Sequence, residues 1–207
     1  MLTSPLKKIA ITGALACGKS SAGRFFSDLS AYVVSADAIV HDLLSNNCTI
    51  IDNVVSLFGA EIAAPSVAGK LQLDRSKIAQ RAFAEPRLLR KLEELLHPAV
   101  QQEIEKQYRH ACQQQGFTLF VVEIPLLFEI SAEEYYDVTI AVTSDPQQRI
   151  QRFMDRTGSN EQEYYRRMAC QLPSEEKAAR ATYTLVNNGS LEQLRAAVQE
   201  LYNKITS

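Results

Sequence analysis

Ile9-Ala10-Ile11-Thr12-Gly13-Ala14-Leu15-Ala16-Cys17-Gly18-Lys19-Ser20 is a β-branched run that passes straight into Gly-x-x-x-x-Gly-Lys-Ser. A loop of this pattern turns successive backbone N–H groups toward one point and sets a helix N-terminus behind them, which suits an anionic phosphate. Lys19 supplies a point charge for β- and γ-phosphates, and the Ser20 hydroxyl, with Ser21 beside it, offers the hard oxygen that Mg2+ takes. Ala22, Phe25, Phe26 and Leu29 follow at i, i+3, i+4, i+7, the spacing of one buried helix face. The strand before and the amphipathic helix after distinguish the motif from a Gly-rich turn ahead of an ordinary helix.

Composition narrows the classes further. The 207 residues are 46% apolar and 22% charged, an ordinary globular balance with room for one sizeable core and insertions. A formal net charge of −2 gives no basic excess for nucleic acid or an anionic membrane. The first eight residues lack the apolar core of a signal peptide, and no apolar stretch approaches the length of a membrane span. Cys17, Cys48, Cys112 and Cys170 are scattered without a Cys-x-x-Cys pair, so neither a metal site nor a disulfide framework is expected and a reducing cytoplasm is the predicted setting.

Five stretches read as strands buried on both faces of a parallel sheet: Lys8–Thr12, Tyr32–Ala36, Thr118–Ile124, Val138–Thr143 and Tyr183–Asn187. Helical patterns separate them, as in an α/β fold. Ser190 and Gln193 form a capping box ahead of a last helix with Leu191, Leu194, Val198, Leu201 and Ile205 on one stripe. The first long gap, from about Asp37 to Gly116, predicts helices over residues 39–44 and 50–58, a loop over Ala60–Gly69, then helices Pro86–Leu96 and Pro98–Gln115, each opened by proline at a first helical position. The second, from about Asp145 to Ala181, contains a further capping box at Ser159 and Gln162. A nucleotide-binding sheet with one insertion for an acceptor and a shorter lid that excludes water is the layout of a small-molecule kinase.

Several residues have the chemistry for this. Asp37 follows the second strand, at the carboxyl edge where ligands bind; it can take or orient the proton of an attacking hydroxyl, or cap the next helix. Lys70, Arg75, Lys77, Arg81, Arg87, Arg90 and Lys91 face only Asp74 and Glu85, which suits a diphosphate-bearing substrate or a solvated helix face. Arg149, Arg152 and Arg156 lie on one side of a helix, either converging on the transferring phosphate or partly paired at the surface. Glu123 closes the third strand, as an acid holding Mg2+ through water or as a cap. His97, between two helical patterns, reads by itself as a hydrogen-bonded structural residue. Cys17 reads as a small residue or as a thiol made acidic by the loop.

Taken together these stretches resemble the dephospho-CoA kinase family. The resemblance rests on the loop Gly13 to Ser20, Ala36-Asp37, Leu73-Asp74-Arg75 with Phe83, and Leu95-Leu96-His97-Pro98. It continues through Pro125-Leu126-Leu127-Phe128-Glu129, Arg152 with Arg156, Gln171-Leu172-Pro173 with Lys177, and Asn187-Asn188-Gly189. It implies a P-loop three-layer α/β fold with a five-stranded parallel sheet: core 1–57, 116–145 and 181–207, a helical acceptor-binding insertion 58–115, and a lid 146–180. The implied reaction is phosphorylation of the ribose 3′-hydroxyl of dephospho-CoA by ATP with Mg2+, the last step of coenzyme A synthesis, in a cytoplasmic monomer or weak homo-oligomer that binds neither nucleic acid nor membrane.

The resemblance also implies roles. Asp37 is the base, with Lys19 and Arg152 acting on the phosphates. ATP lies on Gly13, Ala14, Leu15, Ala16, Cys17, Gly18, Lys19, Ser20, Ser21, Arg152 and Asn188. The acceptor lies on Asp37, Arg75, Phe83, His97, Pro125, Leu126 and Glu129, Arg149 and Arg156 belong to the lid, and Ser20 takes the metal. Four positions depart from the family's habit: Ala16 stands for a loop glycine, Ser35 for an acid, His41 for an arginine and Thr182 for an acid. A kinase of another small alcohol would share the core. A guanine-nucleotide switch is disfavoured, because the chain lacks Asn-Lys-x-Asp.

Overall fold

The computed structural model describes residues 5–65 and 71–207, with the side chains of Pro65 and Phe83 outside that description. In chain order the elements are β1 (Lys7–Gly13), α1 (Lys19–Asp28), β2 (Ala31–Ser35), α2 (Ala36–Asn46), α3 (Cys48–Phe58), β3 (Ala63–Pro65) and β4 (Leu71–Leu73). Then come α4 (Arg75–Ala84), α5 (Pro86–Gln113), β5 (Leu119–Glu123), β6 (Val138–Thr143), α6 (Pro146–Thr157), α7 (Glu161–Met168), α8 (Ser174–Arg180), β7 (Tyr183–Val186) and α9 (Leu191–Thr206). Two compact units result. One comprises the chain up to Ser35 together with Tyr108–Ser207; the other is Ala36–Gln107.

The first unit holds the expected sheet. Five parallel strands among the described residues run in the order β2-β5-β1-β6-β7. Successive residues of β1 point to opposite faces. Ile9 and Ile11 join Leu119, Val121, Ile140 and Val142 in a cluster closed by Phe25 and Phe26 of α1 and by Leu194, Val198, Leu201 and Ile205 of α9. On the other face Phe120 stacks with Tyr32 and meets the edge of Tyr108 at the end of α5. Helices thus cover both faces, which is why the strands read as unbroken apolar runs. Ala36, expected in the second strand, instead opens α2.

The capping box at Ser190 and Gln193 is present with both of its hydrogen bonds. Leu191, the first residue of α9, departs from its stripe and is 54% exposed, while Leu194, Val198, Leu201 and Ile205 are buried. The expected box at Ser159 is replaced by its neighbour: Asn160 Oδ1 accepts the Glu163 amide, while the Ser159 amide is taken by Thr157 Oγ1. Asn and Ser are near-equal caps, so a one-residue shift costs the chain little.

The second unit is mostly helical. α2 and α3 follow the predicted apolar patterns, with Ile39, Leu43, Leu44, Ile50, Ile51, Val54 and Phe58 buried. The stretch expected as a loop over 60–69 instead begins with a short 3-10 turn, Ala60–Ile62, and an antiparallel pairing of β3 with β4; residues 66–70 lie outside the described chain, Lys70 of the basic run among them. The two helices expected to meet at Pro98 are one helix, α5, with Pro98 inside it. Pro98 lacks the N–H that would meet the Glu94 carbonyl, a break that normally ends or bends a helix. Both Glu94 and Pro98 are exposed, so water is available to that carbonyl, and the helix carries on.

Candidate active site

The phosphate loop, residues 13–20, leaves the carboxyl end of the central strand and enters α1. Gly18 caps that helix in a left-handed conformation at φ 103°, and a Cβ there would overlap the Asn187 carboxamide, so glycine is required on two counts. Ala16 also has a positive φ of 59°, the left-handed region that costs an L-residue about 1 kcal/mol. A glycine at this position would carry no such cost, which is the physical content of the family's habit. Lys19 Nζ donates to the carbonyls of Gly13 at 2.9 Å and Ala14 at 2.8 Å. Leu15 and Ala16 pack against Ile150, Phe153 and Tyr164, an apolar cluster of α6 and α7, which sets these two helices directly against the loop.

An acid stands beside the loop. Glu123 ends β5, in register with Ile11 on one side and Ser35 on the other. Its Oε2 accepts the Ser20 hydroxyl at 3.0 Å. Hydroxyl and carboxylate oxygen at this spacing are a donor set that fits a hard cation such as Mg2+. Among the described residues no cluster of three or more His, Cys, Asp or Glu is grouped to hold a metal by itself, so the remaining ligands of such an ion would be phosphate oxygens and water.

The three arginines of α6 separate in environment. Arg149 is 7% exposed, and its Nε and Nη1 lack a hydrogen-bond partner among the described residues. Burial pushes the nearby Tyr164 phenol above its ordinary value, against the opposing charge of Arg149. Arg152 is half-buried; Nη2 is held by Gln148 Oε1 at 2.9 Å and by the Asn187 carbonyl at 3.1 Å, while its buried Nη1 has no hydrogen-bond partner among the described residues. Arg156 is exposed, so the three arginines share one side of the helix but not one environment. Asn188 secures the start of α6: its Oδ1 accepts the Asp145 amide at 2.7 Å and its carbonyl accepts Gln148 Nε2.

Two ties escape the residue-by-residue reading. Asn187, 6% exposed, donates from Nδ2 to the Cys17 carbonyl at 2.8 Å. Lys177 has no exposed surface; its ammonium bonds the Pro125 carbonyl at 2.6 Å and pairs with Glu129 Oε1 at 2.7 Å. Burial pushes the Lys177 ammonium below the ordinary lysine value, and the hydrogen bond and charge of Glu129 oppose the shift. Glu129 Oε1 also accepts the Leu172 amide, and the Pro125 carbonyl also accepts the Thr12 hydroxyl. Glu129 is therefore engaged by the chain itself, while the neighbouring Leu126 is exposed. The only signal for either tie was the presence of Lys177 and Asn187 within quoted motifs.

In the second unit Asp37 is the second residue of α2 and exposed, in its first turn rather than at its cap. Arg75 donates to the His41 carbonyl and Ser45 Oγ beside a cleft lined also by Leu44, Leu71, Leu73 and Asp74. Lys77 and Arg81 are tied to Glu61 and to main-chain carbonyls, so part of the basic run serves the unit's own structure. His97 is exposed within α5, and the Phe83 side chain lies outside the described residues. Thr182, where the family has an acid, joins Thr139 through both its hydroxyl and its amide.

The sequence matches the dephospho-CoA kinase family over residues 7–193. The chain belongs to the dephospho-CoA kinase family. A dephospho-CoA kinase of Protochlamydia amoebophila is 44% identical over 201 residues, 97% of each chain, and that of Chlamydia caviae is 38% identical over 197 residues, 95% of each. The crystal structure of a Thermus thermophilus protein superposes with a TM-score of 0.83 at 29% identity, covering 99% of this chain and 100% of that one. A dephospho-CoA kinase from Campylobacter jejuni superposes at 0.67 with 25% identity over 96% of each chain. A shikimate kinase from Bacteroides thetaiotaomicron, at 0.53 and 16% identity over 96% of this chain and 98% of that one, shares the fold. Dephospho-CoA kinase membership covers the phosphate loop, the Ser20–Glu123 pair, the Lys177–Glu129 pair and the Asn187 tie alike, all of them within residues 7–193.

Proposed function

We propose that this protein transfers the γ-phosphoryl group of ATP to the ribose 3′-hydroxyl of dephospho-CoA, giving ADP and coenzyme A. The observation that carries this is the family match over residues 7–193, on a chain whose phosphate loop stands at the carboxyl edge of a parallel sheet. The 3′-oxygen forms a bond to phosphorus as the bond to the β,γ-bridging oxygen breaks, and that electron pair leaves on ADP. Such transfer depends on alignment and on charge neutralisation more than on covalent help from the protein.

Each residue then has a task. Lys19 exchanges its two loop carbonyls for phosphate oxygens. Arg152, held by one nitrogen, offers Nη1 to the transferring group; a planar guanidinium suits that geometry. Asp37, an exposed carboxylate two residues beyond β2, takes the hydroxyl proton and passes it to solvent. Ser20 and Glu123 would hold Mg2+, which supplies charge neutralisation between the phosphates when bound. Arg75, Phe83, His97, Pro125, Leu126 and Glu129 are assigned to the acceptor on the family resemblance, with Lys177 fixing Glu129. The lid helices α6 and α7 exclude water from the transfer. No described helix is long and apolar enough to cross a membrane, and we place the enzyme in the cytoplasm as a monomer or weak homo-oligomer.

Pure protein incubated with ATP, Mg2+ and dephospho-CoA is expected to release ADP and coenzyme A in equal amounts. Absence of product at high enzyme concentration overturns the assignment.

A further inference from the structure

Asn187 ends the run that begins with β7 and is buried beneath the phosphate loop. Its three polar connections reach three different segments. Its amide donates to the Thr143 carbonyl at 2.8 Å, which locks it to the end of β6. Its side-chain Nδ2 donates to the Cys17 carbonyl at 2.8 Å, and its own carbonyl accepts Arg152 Nη2 at 3.1 Å.

The Cys17 contact matters because of which peptide it fixes. The Cys17 carbonyl and the Gly18 N–H belong to one planar trans unit, so they point in opposite directions. Holding the carbonyl against Asn187 points the Gly18 N–H away from Asn187. Gly18, at φ 103° with no Cβ, is the residue next to which this peptide can flip at least cost. A flip would turn a carbonyl oxygen to where an N–H is needed and set a negative dipole against an anion. Arg152, by contrast, is a long and flexible cation whose useful position depends on an anchor. One residue therefore sets the polarity of the loop and, together with Gln148 Oε1, the placement of the arginine.

We infer that Asn187 is a positioning residue for the nucleotide half of the reaction, bracing the Cys17–Gly18 peptide and Arg152 in one frame for the phosphates of ATP. The inference rests on the kinase reading above, and it goes beyond that reading by giving work to a residue to which the family resemblance assigned none.

The test uses Asn187→Asp and Asn187→Ala in the full chain. Aspartate keeps the shape but loses the donor and faces the Cys17 carbonyl with an oxygen; alanine removes the side chain and leaves the backbone bonds to Thr143 and Arg152. ATP affinity is read by calorimetry, kcat and both KM values by coupled assay, and the Gly18 amide by 15N-resolved NMR, each against melting temperature. A lost bond to a buried acceptor predicts a roughly tenfold or greater loss of ATP affinity. The dephospho-CoA KM should stay within about twofold, and the Gly18 amide resonance should move in both variants. A purely structural role would instead lower the folded fraction, and with it the apparent kcat, while both KM values and the ATP affinity of the remaining folded enzyme stay at wild type; that result overturns the inference. Unchanged ATP affinity in either folded variant also overturns it. Wild-type protein that binds no ATP refutes the kinase reading itself, which separates the two failures.

Discussion

Replacing Glu129 with glutamine removes the charge from a pair that the fold has taken almost wholly out of water. Lys177 has no exposed surface, and its ammonium touches Glu129 Oε1 and the Pro125 carbonyl at 2.7 and 2.6 Å. Glutamine keeps a carbonyl oxygen for Lys177 and for the Leu172 amide, so shape survives while charge is lost. Removing one partner of a buried pair costs about 3–5 kcal/mol, and the retained acceptor puts this case at about 3 kcal/mol. Lysine has one escape, which is to release its proton. Burial already holds Lys177 below the ordinary lysine value, so the native protein gives up that proton at a lower pH than the unfolded chain. Between the two values the unfolded chain binds more protons, and stability rises with pH up to the ordinary value of about 10.4. Losing the Glu129 charge depresses the native value further and extends that interval downward. The deficit of Glu129→Gln against wild type is therefore greatest on the acid side of that interval, where Lys177 still carries its proton in both proteins, and narrows as pH rises toward the ordinary lysine value. Urea unfolding at several pH values measures it, followed by circular dichroism and by tyrosine emission, since the chain has 8 tyrosines and no tryptophan. A deficit under about 1 kcal/mol, the level of an exposed pair, or one that is flat with pH, would refute the reasoning.

Asp37→Ala and Lys19→Ala should each reduce kcat by roughly a hundredfold or more in the coupled assay, and near-normal turnover removes that residue from its role. Ser20→Ala should raise the Mg2+ concentration needed for half-maximal turnover, read by metal titration at saturating ATP, while thermal melting stays close to wild type. Thr182→Val should lower stability by about 1 kcal/mol through the lost hydroxyl contacts to Thr139, with kcat unchanged. A fall in kcat there would mean that the family's acid at this position left a catalytic task behind.

The parallel sheet was legible because its strands are buried on both faces, so apolar runs such as Leu119–Val122 leave little else they can be. α9 was legible from a local rule, its capping box. What was not legible depends on surroundings that no local pattern encodes. Pro98 looks like a helix start, yet it lies on an exposed face where its missing bond matters least. The short pairing of Ala63–Pro65 with Leu71–Leu73 is too brief for a periodic signal. Asn160 outcompeted Ser159 as a cap by geometry alone. In the candidate site, the loop motif announced Lys19 and Ser20. The partners of Asn187 and Lys177 lie 170 and 52 residues away along the chain. Only folding brings such pairs together.

Lys19 already has oxygen partners in its own loop. Its charge is thus no open trap for passing anions. A ligand gains only the difference between its own oxygens and two neutral dipoles, and a singly charged group gains little by that exchange. A polyphosphate, with several charges spread along the loop, gains at every point of contact. On the reading proposed above the loop is a filter for charge density, and the same two carbonyls would reclaim the ammonium when a spent nucleotide departs.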